Sequence, residues 1–258
     1  KLGRMIDPLQ LFRLDGQVAV VTGASAGLGA RFARVLHAVG ATVVVSARRA
    51  ERLAALCDEL PGAVAVAADM ASADDRERLI AETIERVGRV DVLVNNAGIS
   101  HTVGIEAETL DQFEQVLTVN TTAVWHLCKL VVPHMVERGS GSIVNVASML
   151  GHVGSAPIKQ ANYCASKGAV VNMTRELALQ LGRKGVRVNA LCPGYFPSEM
   201  TAPMLGDEGS ERYLATYAAM PRMGEEHELD GALLLLASPA GTYVTGTSLM
   251  VDGGFTAR

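Results

Sequence analysis

The chain has 258 residues, of which 49% are hydrophobic and 26 are glycine, and its net charge is −4 with both signs interspersed. This composition excludes a disordered chain, and the length fits one large α/β domain or two small ones. No basic stripe appears, which argues against nucleic acid as a partner. The four cysteines lie far apart, so they indicate neither a zinc site nor a disulfide framework, and a reducing compartment fits.

The first residues do not resemble a signal peptide, because Asp7, Pro8 and Arg13 interrupt any apolar core. No apolar run approaches the roughly 18 residues that a membrane span needs. We therefore expect a cytoplasmic protein with no membrane partner. We divide the chain into an N-terminal extension, residues 1–13, and one domain, residues 14–258. Residues 1–4 are interpreted as a cloning remnant, with Met5 as the natural start.

A short apolar strand, residues 18–21, leads directly into the glycine-rich sequence Thr22-Gly-Ala-Ser-Ala-Gly-Leu-Gly29. A segment with apolar side chains at helical spacing, residues 30–39, follows it. Strand, glycine turn and helix in this order are typical of a dinucleotide-binding loop. Gly23 permits the tight turn, Gly27 lets the backbone approach a pyrophosphate, and Gly29 lets the helix pack closely. The phosphates then meet free amides at a positive helix end.

Strands and helices continue to alternate along the chain. The further predicted strands are residues 41–46, 63–67, 91–94, 142–147, 186–191 and 246–251. The further predicted helices are residues 49–60, 73–87, 110–135 and 161–181, with Asn120 near the middle of the third. Repeated β-α units with short turns predict a single α/β domain whose parallel sheet is covered by helices on both faces.

Tyr163 and Lys167 stand four residues apart near the start of the last predicted helix, so both project from one face. A lysine ammonium close to a phenol favours the phenolate and is expected to lower the pKa of Tyr163. That would make Tyr163 a proton donor or acceptor near neutral pH. Ser148 ends the fifth strand, where its hydroxyl can hold a carbonyl oxygen. Taken alone, the pattern also fits an ordinary exposed helix pair.

Five features in register resemble the short-chain dehydrogenase/reductase family over residues 14–255: the glycine-rich loop, Asn95-Asn-Ala-Gly98, Asn120, Ser148 and Tyr163-x-x-x-Lys167. The resemblance implies a doubly wound Rossmann-type domain with a seven-stranded parallel sheet. It also implies a nicotinamide cofactor, a small-molecule substrate and a homotetramer. The implied activity is that of an NAD(P)(H)-dependent oxidoreductase, which interconverts a ketone and a secondary alcohol by hydride transfer.

The family's catalytic roles fall on residues already singled out. Tyr163 would be the acid/base, and Lys167 would lower its pKa and hydrogen-bond the nicotinamide ribose. Ser148 would polarise the substrate carbonyl. Asn120 would anchor a water that passes protons from Lys167 towards solvent; without the other motifs it would be interpreted as a polar residue satisfied within its helix. No metal site is expected.

The resemblance also implies how the cofactor is held. Asp69 would accept from the adenine amine (its alternative role is to cap the following helix), residues 96–98 would line the middle of the cofactor, and residues 193–198 would cover the nicotinamide. The complete predicted set is Gly23, Ser25, Gly27, Leu28, Gly29, Arg48, Arg49, Asp69, Met70, Asn96, Ala97, Gly98, Tyr163, Lys167, Pro193, Gly194, Phe196 and Ser198.

One departure from the family pattern concerns the choice of cofactor. The fingerprint places an acidic residue at the end of the second strand, where it holds a ribose 2′-hydroxyl. Here that position is Ala47, followed by Arg48 and Arg49. We therefore predict a preference for NADP(H), set chiefly by Arg48, with NAD(H) as the alternative cofactor. Both arginines could instead reach into water or pair with an acid.

The substrate is less constrained. Ser148 and Tyr163 are fifteen residues apart, two more than in many relatives, so no relative's substrate transfers directly. Five methionines lie in the predicted substrate loops and favour a roomy, mostly apolar pocket: Met149, Met200, Met204, Met220 and Met223. The leading interpretation is an NADPH-dependent ketoreductase of 3-oxoacyl or broad carbonyl type. The alternatives are a polyol or sugar-acid dehydrogenase, resembling gluconate 5-dehydrogenases, and a non-catalytic nucleotide-binding protein.

Overall fold

The computed structural model describes residues 7–257, so the predicted start at Met5 and the interpretation of residues 1–4 lie outside the described residues. Ahead of the domain, Pro8–Phe12 form a 3₁₀ turn, which begins where the Asp7 side chain accepts from the backbone N–H of Leu9 at 3.0 Å. Leu14 is fully buried. The chain therefore enters the core at the residue where the predicted domain begins.

Seven strands form one parallel sheet in the order β3-β2-β1-β4-β5-β6-β7. They are β1 (Val18–Thr22), β2 (Thr42–Ala47), β3 (Val64–Ala67), β4 (Val92–Asn95), β5 (Gly141–Val146), β6 (Val186–Pro193) and β7 (Ser248–Val251). The predicted doubly wound α/β fold is confirmed. Winding changes direction between β1 and β4, and a crevice opens there at the carboxyl ends of the strands.

Eight α-helices lie within residues 7–257. They are α1 (Gly27–Ala38), α2 (Ala50–Glu59), α3 (Ala73–Val87), α4 (Leu110–Leu117), α5 (Ala123–Glu137), α6 (Ala161–Leu181), α7 (Glu208–Tyr217) and α8 (Asp230–Ala237). The sequence did not predict α7 and α8. The apolar run of α8 is short and buried, and periodicity alone does not separate such a helix from a strand.

The predicted helix over residues 110–135 is wrong in one respect, because α4 and α5 are separated by a π-helical turn, Thr118–Thr122. Asn120 lies in this turn and is fully buried. Single π turns within helices are often found at functional sites. The hydrophobic pattern does not reveal the turn, because apolar spacing over so few residues does not separate a π turn from an α-helical turn.

The strands divide their side chains between two cores. Val21 of β1 packs on one face with Phe32 of α1, and Val20 packs on the other face with Leu79 of α3. Helices α1, α2 and α8 cover the first face, and α3, α5 and α6 cover the second. Strands buried on both faces appear in the sequence as continuous apolar runs. The rigid sheet fixes the positions of the loops that follow each strand.

Candidate active site

A cavity of about 640 Å³ opens at the carboxyl ends of the strands, beside the change of winding between β1 and β4. Every residue predicted to bind the cofactor lines this cavity, and so does Ser148. Open α/β sheets bind their ligands in this position. The structure thus gathers residues from six loops and from α6 around one space, whereas Asn120 lies outside its lining.

The glycine-rich loop after β1 is locked against the loop after β4. The Asn96 amide donates to the Thr22 carbonyl at 2.9 Å, and the Thr22 hydroxyl accepts from the backbone N–H of Asn96 at 3.0 Å. Gly23 has a positive φ of 68°, and a Cβ on it would lie 2.9 Å from the Cα of Ala97. Only glycine fits this close approach.

Gly29 lies in the first turn of α1, against the backbone that directly follows β1. A Cβ on Gly29 would lie 2.3 Å from the carbonyl oxygen of Gly23 and 2.5 Å from the Asn96 amide, so a glycine here lets the helix pack closely on the end of the strand. Helix α1 begins at Gly27, and its N-cap Ala26 makes no side-chain cap. Free amides beside an uncrowded backbone suit a phosphate. The residues present therefore fit a dinucleotide.

Asp69 and Met70 lie in the loop that follows β3, and both line the cavity. A carboxylate oxygen of Asp69 accepts from the backbone N–H of Ala71 at 2.9 Å, while Ser72 caps α3 by accepting from the N–H of Asp75. The alternative role of Asp69 as a helix cap is therefore wrong. The buried Arg76 donates to the Met70 carbonyl and holds this loop in place. Sequence reasoning did not single out Arg76, because a buried arginine looks like any other helix charge.

Ser148, Tyr163 and Lys167 come together at the other end of the cavity. Lys167 is buried, and its Nζ lies 5.5 Å from the centre of the Tyr163 ring. The Ser148 side chain accepts from the backbone N–H of Leu150 at 3.1 Å, which fixes its hydroxyl at the start of a 3₁₀ turn. A phenol, an ammonium and a hydroxyl are thus placed within one small region, where a carbonyl oxygen could meet the phenol and the hydroxyl together.

The structure reverses the expected pKa shift of Tyr163. Burial raises the pKa of Tyr163 to about 12, and a hydrogen bond with Ser148 opposes the rise. Burial also lowers the pKa of Lys167 to about 8. Lys167 therefore does not lower the pKa of Tyr163 as predicted. Its ammonium is distant and already donates to the Val146 carbonyl at 2.7 Å, so the cost of desolvating a phenolate outweighs its attraction. Tyr163 is therefore a protonated phenol at neutral pH, the form that a proton donor needs.

Asn120 does not line the cavity but contacts residues next to it. Its side chain accepts from the backbone N–H of Ile99 at 2.9 Å and donates to the Ile99 carbonyl at 2.8 Å and to the Ser166 hydroxyl at 3.0 Å. A Cβ on Gly98 would lie 3.4 Å from its Oδ1 and 3.6 Å from the Nζ of Lys167. Asn120 therefore ties the loop after β4 to α6 beside the lysine. Its role in holding a water stays a prediction.

The loop after β6 contributes a residue that the sequence did not indicate. Glu199 forms a bidentate ion pair with Arg49, at 2.8 and 3.0 Å, and a further ion pair with Arg52 at 2.7 Å. These arginines lower the pKa of Glu199 to about 2. Arg49 also donates to the Ser25 hydroxyl at 2.9 Å. The alternative that an arginine pairs with an acid thus holds for Arg49, and a separation of 150 residues hides the pair from sequence patterns.

Arg48 is arranged differently from its neighbour. It lines the same cavity, but within residues 7–257 it makes no hydrogen bond or ion pair. Its guanidinium is exposed, and it follows Ala47, the last residue of β2. Arg48 is therefore available to an anionic group, whereas Arg49 is already engaged by Glu199 and Ser25.

The side of the cavity beyond Gly98 carries three polar side chains beside the apolar Ile99 and Val119. Ser100, His101 and Gln115 line it, and the His101 Nε2 lies 3.0 Å from the Gln115 Oε1. The Ser100 hydroxyl donates to the Gln160 side chain at 3.2 Å. These side chains can exchange hydrogen bonds with hydroxyl groups of a ligand.

The predicted methionine-rich pocket is found only in part. Of the five methionines, Met200 lines the cavity and Met149 is buried. Met204 and Met223 pack against a cluster that includes Tyr213. The remaining one, Met220, is half exposed. Methionines of the predicted substrate loops thus divide among cavity, core and surface, a division that residue type alone does not predict.

The structure and the sequence agree with known proteins of one class. A family model described as "short chain dehydrogenase" matches residues 17–209. The chain is 41% identical to a galactitol 2-dehydrogenase (L-tagatose-forming) of Cereibacter sphaeroides, over 97% of this chain and 99% of that one. It is 34% identical to a 3-oxoacyl-(acyl-carrier-protein) reductase of Thermotoga maritima, over 94% and 98% of the two chains.

A solved structure gives the same result. The crystal structure of a gluconate 5-dehydrogenase from Burkholderia cenocepacia J2315, in complex with NADP and tartrate, superposes with a TM-score of 0.91. The two sequences are 35% identical, and the match covers 98% of this chain and 100% of that chain. The chain belongs to the short-chain dehydrogenase/reductase family. It is an NAD(P)(H)-dependent oxidoreductase that interconverts a ketone and a secondary alcohol, as the sequence predicted.

No group of three or more His, Cys, Asp or Glu side chains within residues 7–257 is arranged to hold a metal ion. No helix in the same part of the chain is both long and apolar enough to cross a membrane.

Proposed function

We propose that the chain is an NADP(H)-dependent oxidoreductase acting on a polyhydroxylated ketone and its matching secondary alcohol. The observation that carries the substrate class is the polar border formed by Ser100, His101 and Gln115 beside the catalytic tyrosine. These side chains pair with one another or with Gln160, and each keeps a further donor or acceptor with which a ligand hydroxyl can form a hydrogen bond.

In the proposed reaction Tyr163 donates its proton to the substrate oxygen during reduction and receives one during oxidation. Ser148 holds the same oxygen by hydrogen bond. Lys167 lies one helical turn from Tyr163 on α6 and helps to hold the tyrosine in position. A bound nicotinamide cofactor supplies or accepts the hydride. Asn120 is a positioning residue, since it touches Ile99 and Ser166 rather than the cavity.

The preference for NADP(H) is supported by the end of β2. Ala47 carries no carboxylate for a ribose 2′-hydroxyl, whereas the exposed guanidinium of Arg48 borders the cavity at that point. A 2′-phosphate would receive a charge-assisted hydrogen bond from it.

A homotetramer is supported by exposed apolar side chains on the helices of one face. Trp125 of α5 is 48% exposed and Leu179 of α6 is 81% exposed, while Leu110 at the start of α4 is 69% exposed. Exposed apolar groups of this kind mark contact surfaces, and isologous two-fold contacts are the usual way to bury them. The cytoplasmic location stays a prediction.

A second candidate function is 3-oxoacyl reduction. The aromatic and methionine cluster around Tyr213 and Phe255 also packs against Tyr163, and an acyl chain would find apolar contacts there. The guanidinium of Arg138 is committed to the Val90 carbonyl and to Asp91, so it is not free to bind an acidic carrier protein.

The test is a substrate panel measured with both cofactors. It contains galactitol and L-tagatose, gluconate and 5-ketogluconate, and 3-oxoacyl thioesters. We expect turnover of polyols or keto sugars with a kcat/KM well above that of the thioesters. Higher kcat/KM for the thioesters would transfer the assignment to the second candidate. Binding of NADPH without turnover of any member would favour the non-catalytic alternative.

A further inference from the structure

Three elements that border the cofactor cavity are joined by one carboxylate. Glu199 in the loop after β6 binds both Nη atoms of Arg49, the residue that immediately precedes α2. Arg49 in turn donates from Nε and Nη2 to the hydroxyl of Ser25 in the glycine-rich loop. All three side chains line the cavity. The pair therefore lies on the wall of the cavity, and it occupies a guanidinium that a bound anion could otherwise use.

We propose that Glu199 is a cofactor-specificity residue, an internal carboxylate that competes with the ribose 2′-phosphate of NADP(H) for Arg49. The proposal rests on the proposed binding of a dinucleotide in this cavity. It differs from the assignment of Arg48, which attracts the phosphate, because Glu199 opposes it.

The geometry makes Arg49 a suitable object of competition. A guanidinium binds carboxylate and phosphate in the same bidentate manner, so one occupant excludes the other. The Glu199 side chain is 60% exposed and that of Arg49 is 37% exposed. Exposed ion pairs contribute little to stability, so a phosphate that carries about two negative charges can displace the carboxylate.

The competition acts on one cofactor only. NADP(H) must displace Glu199 from Arg49, and its phosphate then lies close to the freed carboxylate. NAD(H) carries a neutral hydroxyl at the same position and leaves the pair intact. Glu199 thus weakens NADP(H) binding without a matching effect on NAD(H), and it reduces the discrimination that Arg48 and Arg49 would otherwise give.

The experiment is a titration of the purified protein with NADPH and with NADH, followed by nucleotide fluorescence. The variants are wild type, Glu199→Gln, Glu199→Ala and the control Glu59→Gln. Glu59 forms an equivalent bidentate pair with Arg34, at 2.8 and 3.1 Å, away from the cavity lining. We expect both Glu199 variants to bind NADPH about two- to five-fold more tightly, the range set by the weakness of exposed ion pairs, with little change for NADH. The control should change neither.

A second step tests whether the effect passes through Arg49. In an Arg49→Gln background, Glu199→Gln should no longer change the ratio of the NADPH and NADH dissociation constants. An equal change for both cofactors, or an unchanged ratio in both Glu199 variants, would overturn the proposal while leaving the proposed function in place. If wild type bound neither dinucleotide, the proposed function would fail as well. Thermal unfolding of each variant separates these results from loss of folding.

Discussion

The Nζ of Lys167 donates to the main-chain carbonyl of Val146 at 2.7 Å, and this bond joins α6 to the last residue of β5. Ser148 follows that strand by two residues, and Tyr163 precedes Lys167 by one helical turn. The strand end therefore sets the positions of all three groups relative to one another. A loop of unusual length between Ser148 and Tyr163 can vary without disturbing them, because the contact at Val146 bypasses it.

The buried ammonium should make stability depend on pH. The folded pKa of Lys167, about 8, lies below its ordinary value of 10.5, so the unfolded chain binds more protons between these values. The resulting destabilisation is fully present below pH 8 and is lost as pH rises towards 10.5. We expect Lys167→Met to be more stable than wild type by about 2–4 kcal/mol at pH 7, an advantage that shrinks by pH 10.

Urea denaturation at pH 7, 8, 9 and 10 measures this difference. The raised pKa values of Cys192 and Tyr163 destabilise the folded state at high pH in both proteins and largely cancel in the comparison. Lys184→Met, at an exposed lysine, is the control. An advantage of Lys167→Met that stayed constant across the series would contradict the assignment of a depressed pKa to Lys167.

Tyr163→Phe should remove most turnover and leave the rest of the protein intact. In the proposed reaction the phenol is the proton donor, and loss of general acid/base help typically costs about 10²–10⁴-fold in kcat. The ring still packs against the cluster around Tyr213, so thermal stability and NADPH binding should stay near those of wild type. Steady-state kinetics and nucleotide titration give the two readouts. A kcat within a few-fold of wild type would remove Tyr163 from the catalytic role.

The predicted tetramer can be tested at its exposed apolar side chains. Light scattering of wild type should give about four times 27.2 kDa, and Leu179→Glu or Trp125→Glu should lower this mass, because a buried charge weakens an apolar contact. Leu9→Glu is the control, since Leu9 is also exposed but lies on the N-terminal 3₁₀ turn. A wild-type mass of one chain at micromolar concentration would rule out the oligomer.

Much of the fold and of the site could be predicted from local sequence patterns. The apolar strands, the glycine-rich loop and the pair Tyr163 and Lys167 depend on neighbours within one turn or one strand, so their spacing is visible in the chain. The residues that line the cavity could be predicted as well, because parallel strands bring their carboxyl ends to one edge of the sheet.

Contacts between distant segments and the effects of burial could not be predicted in this way. The bond between Lys167 and Val146, the pair of Glu199 with Arg49, and the bonds of Asn120 depend on packing. The raised pKa of Tyr163 has the same origin, because desolvation is a property of the folded surroundings and not of a four-residue spacing.

Arg48 should set the choice of cofactor. It borders the cavity without a partner among residues 7–257, and it stands next to Ala47, where no carboxylate favours a ribose 2′-hydroxyl. A charge-assisted hydrogen bond is worth about 1.5–3 kcal/mol, so Arg48→Ala should lower kcat/KM for NADPH by roughly 10–100-fold. The value for NADH should change little. Arg34→Ala is a suitable control, because Arg34 pairs with Glu59 and does not line the cavity. A wild type that prefers NADH, or a preference that survives Arg48→Ala, would contradict this assignment and leave the exposed guanidinium as a solvated surface charge.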